Sequence, residues 1–584
     1  MLGRLGAVLV TFFLLAAIGA VEASAAPPAR LSEAQAKSIF LADGKVESWL
    51  RQYPRSSWVT YVDFRDSDRR WQVKVYSGAA GEVATGLVDD ATGAVVEAWT
   101  GPQVAWPLAR GPIGRAINHA DIWLVFCAVF LLGLGNLRRP FCLRNLDLLA
   151  LLSFSVPLWY FNHGHVFAGV IVTAIPLVYL LARCAWIGVR NRGPGAGTAL
   201  PVWLLLGATL FLAGFRIELN HGHSGILDVG YAGVIGADRV THGTDPYGHF
   251  PARDTGMPCG PADSDGNVND WVQSNGRCES ANPLGDTYGP VDYLSYLPGL
   301  WLFGWSGKWD KLPAVHFTTL LFDLLALLGL AAVGYRYGGA RLAAALALAW
   351  AACPFTQYVS SSNTNDALMP AFLIWAFWLA TRDTGRGVFA ALAAWTKLAA
   401  LVLVPLWLTY PDARSRRRAR AFGLAFAVTT GLSFWVLLLG NPLHEAHVFF
   451  DRTFKIQFDR HSPFSLWDWG QYHIDLPDLR WLQHVLQVVL AVSAVAVAFV
   501  PRRKSPLQLA AFTGALLIAF ELLLTHWSPL YISWFFPFVA LAVVAAPDLA
   551  GEAAEREPSP VLSTVFRRDD EPASSPVPAA ASDA

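Results

Sequence analysis

Charge is what this sequence has least of. Only 15% of its 584 residues are Asp, Glu, Lys or Arg, against about 25% in ordinary soluble domains. The length alone would allow roughly three or four soluble domains, and the scarcity of charge excludes them. It excludes a disordered or collagen-like chain as well. Neither sign dominates, because 44 basic residues balance 44 acidic ones; nothing here indicates a nucleic-acid-binding surface. Six cysteines in a chain of this length do not make a disulfide scaffold.

Long apolar runs are abundant instead, and the mean hydropathy is +0.38. Runs lie near 119–135, 146–161, 166–187, 201–218, 313–333, 342–358, 366–381, 421–440, 482–500, 506–525 and 529–547. Each is about long enough to cross a ~30 Å hydrocarbon core as a helix. At the N-terminus, Arg4 precedes an apolar run from Leu5 to Ile18, then small residues with an A-x-A pattern at Ala23 to Ala25. Residues 1–26 therefore read as a signal peptide, cleaved or kept as an anchor. An ordinary first membrane helix is the alternative, and either puts the next segment outside the cytoplasm.

Residues 27–112 are polar enough for a small extracytoplasmic α+β domain. Ser32-Glu33-Ala34-Gln35 is a capping-box pattern opening a helix to about Ala42. Trp71, Val73 and Val75 then alternate with polar residues, as in a strand with one buried face. Arg65 to Asp68 reads as the turn before it. Asp89-Asp90-Ala91-Thr92-Gly93 reads as a turn between strands at 82–88 and 94–99. A helix on a small antiparallel sheet, with the segment VDDATGAVVEAW, resembles a PepSY-like module. No nucleophile–base pair or metal spacing stands out there, so binding or regulation is expected rather than catalysis.

Arginine sets the topology of the rest, because cytoplasmic loops carry the excess of Lys and Arg. Starting outside, Arg138, Arg139, Arg144, Arg190 and Arg192 fall inside, and loop 219–290, with nine acids and three arginines, falls outside. Arg336, Arg341, Arg382 and Arg386 then come inside. Arg414, Arg416, Arg417, Arg418 and Arg420 also demand the inside, yet only one apolar stretch, 388–409, intervenes. That stretch is expected to be two half-helices that enter and return, breaking near Trp395-Thr396-Lys397. Backbone of that kind at membrane depth needs cover from protein or a wet cavity. The stretch 293–305 fits the outer interface, and the tail 548–584 reads as disordered and cytoplasmic. The fold class is thus an α-helical polytopic membrane protein with about eleven crossings plus the hairpin. Residues 113–200 supply extra helices before a membrane domain over 201–547.

This topology gathers the unusual residues on the outer face. Asp228 heads a short amphipathic stretch, followed by His242-Gly-Thr-Asp245-Pro-Tyr247-Gly. Then come Asp286-Thr-Tyr288-Gly-Pro290-Val-Asp292-Tyr293 and Ser362-Asn363-Thr-Asn365-Asp366. An acid in a large outer loop, a G-x-x-P-Y-like turn, a Y-G-P segment, an Asn-rich helix end and the Lys-containing hairpin resemble the GT-C polyprenyl-phosphate-sugar-dependent glycosyltransferases. The resemblance spans 201–547. It implies transfer of a mannose- or pentose-type sugar from a polyprenyl-phosphate donor to an extracytoplasmic glycan, lipid or protein acceptor in the plasma membrane. It implies a carboxylate base, for which Asp228 is the best match, with Asp245 and Asp286 as alternatives. Tyr247, Tyr288, Asn363, Asn365 and Asp366 are then substrate-binding candidates.

Other residues suit that chemistry. Arg452, Lys455, Arg460 and His461 cluster in outer loop 441–481, against the positive-inside bias; they suit contact with a phosphate or simple solvation beside Asp451 and Asp459. Lys397, at the hairpin turn, is expected either to pair with Asp323 or to meet the donor phosphate. His526, before Trp527, either binds substrate or packs at a helix end. Cys259 and Cys278 share the large outer loop, and an oxidising compartment favours a disulfide, worth ~3 kcal/mol for a loop of about twenty residues. No cofactor is firmly implied. A divalent cation is a candidate, because Asn162-His163-Gly-His165 and Asn220-His221-Gly-His223 repeat one tetrapeptide at two helix ends and could supply four imidazoles. Two interfacial turns of like sequence is the plainer account. A transporter, or a non-catalytic sensor or assembly protein, is the competing function, but transporters set polar sites near the midplane, whereas here they crowd one rim.

Overall fold

A computed structural model describes residues 28–66, 68–77, 82–110, 116–195, 200–248, 271–272, 278–279, 286–305, 312–455, 457, 462–468, 477 and 479–550. Residues 1–26, Cys259, Arg460, His461 and the tail lie outside the described residues. The chain forms two compact units, an N-terminal one reaching Gly114, to which residues 161–166 also belong, and a larger helical one.

In the N-terminal unit, α1 (Glu33–Leu41) and α2 (Gly44–Leu50) precede four strands, β1 (Trp58–Arg65), β2 (Arg70–Ser77), β3 (Glu82–Asp89) and β4 (Val95–Thr100). α3 (Ala105–Arg110) follows. The strands form one antiparallel meander in sequence order. The expected capping box is present: Ser32 Oγ accepts from the Gln35 N–H, and Gln35 accepts from the Ser32 N–H at 2.8 Å. Trp71, Val73 and Val75 turn inward onto Phe40, Val46 and Leu50. β1 was not foreseen: its residues are mostly half-buried on both faces, so it carries no clear alternation. Asp90 ties the unit together. Its carboxylate accepts the backbone N–H groups of Arg30 and Leu31 and the Trp71 indole N–H, all within 3.0 Å.

The helical unit contains α4 (Ala120–Leu134), α5 (Leu143–Leu152), α6 (Ser155–Asn162, of which residues to 160 belong here), α7 (Val166–Arg190) and α8 (Val202–Gly222). The short helices α9 (Asp228–Thr241), α10 (Pro290–Leu294) and α11 (Leu297–Phe303) come next. Then follow α12 (Pro313–Ala352), α13 (Pro354–Ser362), α14 (Leu368–Trp378), α15 (Asp383–Ala394), α16 (Val404–Thr409), α17 (Arg416–Ser433) and α18 (Pro442–Phe450). α19 (Arg480–Phe499), α20 (Pro506–Leu522), α21 (Ile532–Val544) and α22 (Ala546–Leu549) complete it. Among the described residues, five helical stretches are long and apolar enough to cross a membrane alone: 166–190, 202–222, 313–352, 416–439 and 480–499. The other foreseen crossings are shorter or broken pieces.

α12 is two helices. Gly339 leaves the helical region at φ 69°, and the Trp350 indole N–H reaches Asp323 at 2.8 Å. Residues 27 apart in a straight helix would be about 40 Å apart, so the chain reverses at Gly339, as the separate runs at 313–333 and 342–358 predict.

The foreseen hairpin is also there. α15 rises to a break at Trp395–Lys397, and a 3-10 turn (Leu398–Leu403) with α16 returns. Its open end is closed by Arg386, whose guanidinium donates to the carbonyls of Trp407 at 3.0 Å and Tyr410 at 2.9 Å. Its tip was misplaced in depth. Lys397 does not pair with Asp323; it meets Asp366, just before α14. Asp323 belongs to Arg216 of α8, whose Nε lies 3.0 Å from its carboxylate. The cation inside the 201–218 run was the partner that Asp323 required, since an isolated charge at this depth is strongly disfavoured.

Candidate functional site

The site is built where α9, the 286–292 segment, the α13–α14 turn and the hairpin tip meet. α9 can lie close because its glycines recur on one face. A Cβ on Gly230 would come within 1.9 Å of the Asn363 carbonyl, and side chains on Gly233 and Gly236 would strike the rings of Tyr296 and Tyr293. The entry to α9 is stitched to the end of α13. Gly225 and Leu227 donate to the carbonyls of Ser361 and Ser362 at 3.0 and 3.1 Å.

Asn363 holds this corner. It adopts a left-handed conformation (φ 48°, ψ 49°), which Asn tolerates better than most residues. Its amide donates to Ser224 Oγ at 2.9 Å and the Gly225 carbonyl at 3.1 Å, and accepts from Asn220 at 2.8 Å. Asn363 is therefore a brace, and Asp228, half-buried in the first turn of α9, is what it places beside the α13–α14 turn.

On the other side stands Lys397, with its side chain only 7% exposed. Its ammonium lies 2.8 Å from Asp366 Oδ1. The rings of Tyr288, Trp534 and Tyr531 surround it at 4.9, 5.1 and 5.8 Å to their centroids, within the range of cation–π attraction. Tyr531 and Trp534 stack at 4.1 Å, and the Trp534 N–H donates to Asp366 at 2.9 Å. The Y-G-P segment joins the hairpin tip at Gly289, where a Cβ would come within 2.0 Å of the Trp395 carbonyl. That carbonyl accepts from the Val291 N–H at 3.1 Å. Pro290 begins α10, where a missing N–H is harmless. Burial first, and then the neighbouring Tyr531, Asp228 and Asp366, hold the Tyr288 hydroxyl well above its usual pKa. Lys397 thus lies over the Tyr288 ring, and Asp228 is near enough to act on the Tyr288 hydroxyl as a charge.

Asp292 and Asn365 lie in the same cluster, both fully buried. Neither makes a side-chain hydrogen bond of ordinary geometry, although they face one another. Burial pushes Asp292 up to about 7, against the pull of Lys397.

The other two candidate bases are engaged elsewhere. Asp286 Oδ2 accepts from Arg452 at 2.7 Å and from the Gly248 N–H at 2.9 Å. Asp245 accepts the Tyr247 N–H at 2.9 Å, closing the Asp-Pro turn, and the Tyr247 hydroxyl donates to the Tyr288 carbonyl at 3.0 Å. Arg239, half-buried beside these acids, is lowered to about 10 chiefly by desolvation. This network fixes the position of Tyr288, and Arg452 belongs to it. Lys455 is exposed on the same short π-turn. His526 stands one ring farther out, with Nδ1 2.8 Å from Ser462 Oγ and its ring edge-on to Tyr531.

Of the histidine pairs, His221 and His223 lie at the end of α8, while His163 and His165 belong to the N-terminal unit. Among the described residues, no three His, Cys, Asp or Glu side chains gather as a metal site. The Cys259–Cys278 pairing lies outside the described residues. Sequence reasoning missed Tyr531, Trp534, Asp292 and Tyr296. The only signal for the first two was a Tyr and a Trp three residues apart at a helix start, in a chain that is 13% aromatic.

An apolar cleft of about 390 Å³ opens beside α10, lined by Val291, Leu294, Phe322, Phe372, Leu392 and Leu432 among others.

Residues 287–546 match the family model for Glycosyltransferase family 87. No curated protein matches the chain. The matched segment carries Tyr288, Asn363, Asp366, Lys397, Tyr531 and Trp534; Asp228 precedes it. With the apolar helices, the match indicates a membrane glycosyltransferase.

Proposed function

We propose that this membrane glycosyltransferase moves a mannose- or pentose-type sugar from a polyprenyl-phosphate donor to an extracytoplasmic glycan, lipid or protein acceptor, with Asp228 as general base. The observation that carries this reading is the buried Lys397 ammonium, caged by Asp366, Tyr288 and Trp534, in the same corner to which the start of α9, with Asp228, is bonded. An acceptor hydroxyl attacks the anomeric carbon and gives its proton to Asp228. The bond from that carbon to the phosphate oxygen breaks, and the lipid phosphate leaves with the electron pair. Direct displacement inverts the anomeric centre. A positioned base contributes typically 10²–10⁴-fold. A fixed cation at the leaving phosphate stabilises the charge that develops there, and Lys397 has that role.

Asp366 holds Lys397 in place before the donor arrives. The aromatic rings around the ammonium keep water from the phosphate, which limits hydrolysis. The prenyl chain of the donor rests in the apolar cleft beside α10. The opposite end of the hairpin carries Arg386 and leads into the arginines of α17; by the positive-inside rule that end is cytoplasmic, which supports an extracytoplasmic site. The N-terminal unit, which we take as PepSY-like, serves binding or regulation.

The test is sugar transfer in isolated membranes from radiolabelled decaprenyl-phosphate mannose and arabinose. Wild type is expected to transfer one of them, and Asp228→Asn to do so at least about 100-fold more slowly. Uptake of the sugar into proteoliposomes without transfer would favour a transporter instead.

A further inference from the structure

Among the described residues of the helical unit, a cluster of unpaired polar groups lies next to Lys397. Both Asp292 carboxylate oxygens, both Asn365 amide atoms and the Tyr296 hydroxyl are buried without a hydrogen-bond partner of ordinary geometry. All three side chains are 0% exposed. Asp292 and Asn365 face each other, and the Tyr296 hydroxyl lies in the field of Asp292 and Asp366. A buried donor or acceptor left unmade is disfavoured, and native proteins keep few of them without a use.

The place of this cluster says what would satisfy it. Asn365 precedes Asp366, which holds the Lys397 ammonium at 2.8 Å, and Val291, next to Asp292, donates to the Trp395 carbonyl at the hairpin tip, so the cluster adjoins the cation that we assign to the donor phosphate. In a glycosyl phosphate, the sugar ring is one oxygen from the phosphorus. A sugar hydroxyl can donate to a carboxylate while it accepts from an amide N–H, which uses the atoms that are spare here. The rings of Tyr288 and Trp534 beside Lys397 offer apolar faces for the C–H side of a sugar. A hydroxyl held between Asp292 and Asn365 is withdrawn from water, as transfer without hydrolysis requires.

We propose that Asp292 and Asn365, with the Tyr296 hydroxyl, bind a hydroxyl of the transferred sugar and so select which sugar the enzyme accepts. This rests on the glycosyl-transfer reading above and extends it. The occupant to be distinguished is ordinary buried water, which would satisfy the same atoms without reading the substrate.

The test couples a protein change to a substrate change. The probe is whichever of decaprenyl-phosphate mannose and decaprenyl-phosphate arabinose wild type transfers, with its monodeoxy analogues. Wild type is expected to lose about 100-fold or more in kcat/KM on one monodeoxy donor. Asp292→Asn is expected to lose a similar factor on the natural donor and almost nothing more on that analogue. If Asp292→Asn still rejects every monodeoxy donor as strongly as wild type does, the pair does not read the sugar and the proposal falls, while the transfer reading stands. If wild type transfers neither sugar, the transfer reading falls and takes this proposal with it. Thermal unfolding in detergent confirms that the variant is folded. Should Asp292→Asn fail to fold, Asn365→Ser runs through the same comparison with the same two outcomes.

Discussion

The Lys397 ammonium lies 2.8 Å from Asp366 Oδ1, and both side chains are at least nine-tenths buried. The pair combines a structural contact with a charge that the proposed reaction can use, and double substitution separates the two roles. Removing one partner of a buried pair strands the other, at a cost of about 3 kcal/mol or more. Lys397→Met alone is expected to lose that much stability and all donor binding. Adding Asp366→Asn is expected to restore most of the stability without restoring transfer. Chemical unfolding in detergent and a donor-binding assay report the two quantities. Recovery of transfer in the double variant would show that Lys397 serves packing alone.

Asp228 and Asp286 should part company under the same change. Asp286 is held by Arg452 and the Gly248 N–H, so Asp286→Asn should weaken the fold by about 2 kcal/mol. Its surviving folded fraction should keep transfer within about tenfold of wild type, because its part in the proposed reaction is positional. Asp228→Asn should leave the unfolding midpoint near wild type while transfer is lost. Unfolding curves beside initial rates decide it, and the opposite pattern would move the base to Asp286.

Asp292 leaves a signature in pH. Its folded pKa is raised to about 7, mainly by burial, above an unfolded value near 3.9. Between those values the folded state binds more protons than the unfolded one, so stability falls as pH rises toward 7 and levels off above it. Asp292→Asn removes this contribution. The stability difference, wild type minus variant, should therefore decline between about pH 4 and 7. Other carboxylates cancel in that difference. A flat difference across the range would mean that Asp292 is ionised in the fold throughout.

Local devices were legible in the sequence. The capping box at Ser32, the alternation of Trp71, Val73 and Val75, and the break at Trp395–Lys397 follow from spacing and from the arginine conflict around 388–409. Partners distant along the chain were not. Arg216 and Asp323 are separated by 107 positions and meet only because α8 and α12 pack. Lys397 found Asp366 because the hairpin tip reaches the level of the α13–α14 turn, a depth that no count of apolar residues supplies. Asp245 and Asp286 read like Asp228 in a list of outer acids; what tells them apart is where they bond, Asp245 and Asp286 around Tyr247, Gly248 and Arg452, and Asp228 at the head of α9. Asp292 was visible in the Y-G-P segment, but its lack of partners is a property of packing.

The central claim, that one carboxylate and one caged cation act on the same lipid-phosphate sugar, is tested most directly by separating binding from chemistry in purified protein. Equilibrium binding of radiolabelled decaprenyl-phosphate sugar, measured beside single-turnover transfer, should show Asp228→Asn holding the donor as wild type does while turning it over at least about 100-fold more slowly. Lys397→Met should not retain the donor. An Asp228→Asn variant that transfers sugar at close to the wild-type rate would contradict the account.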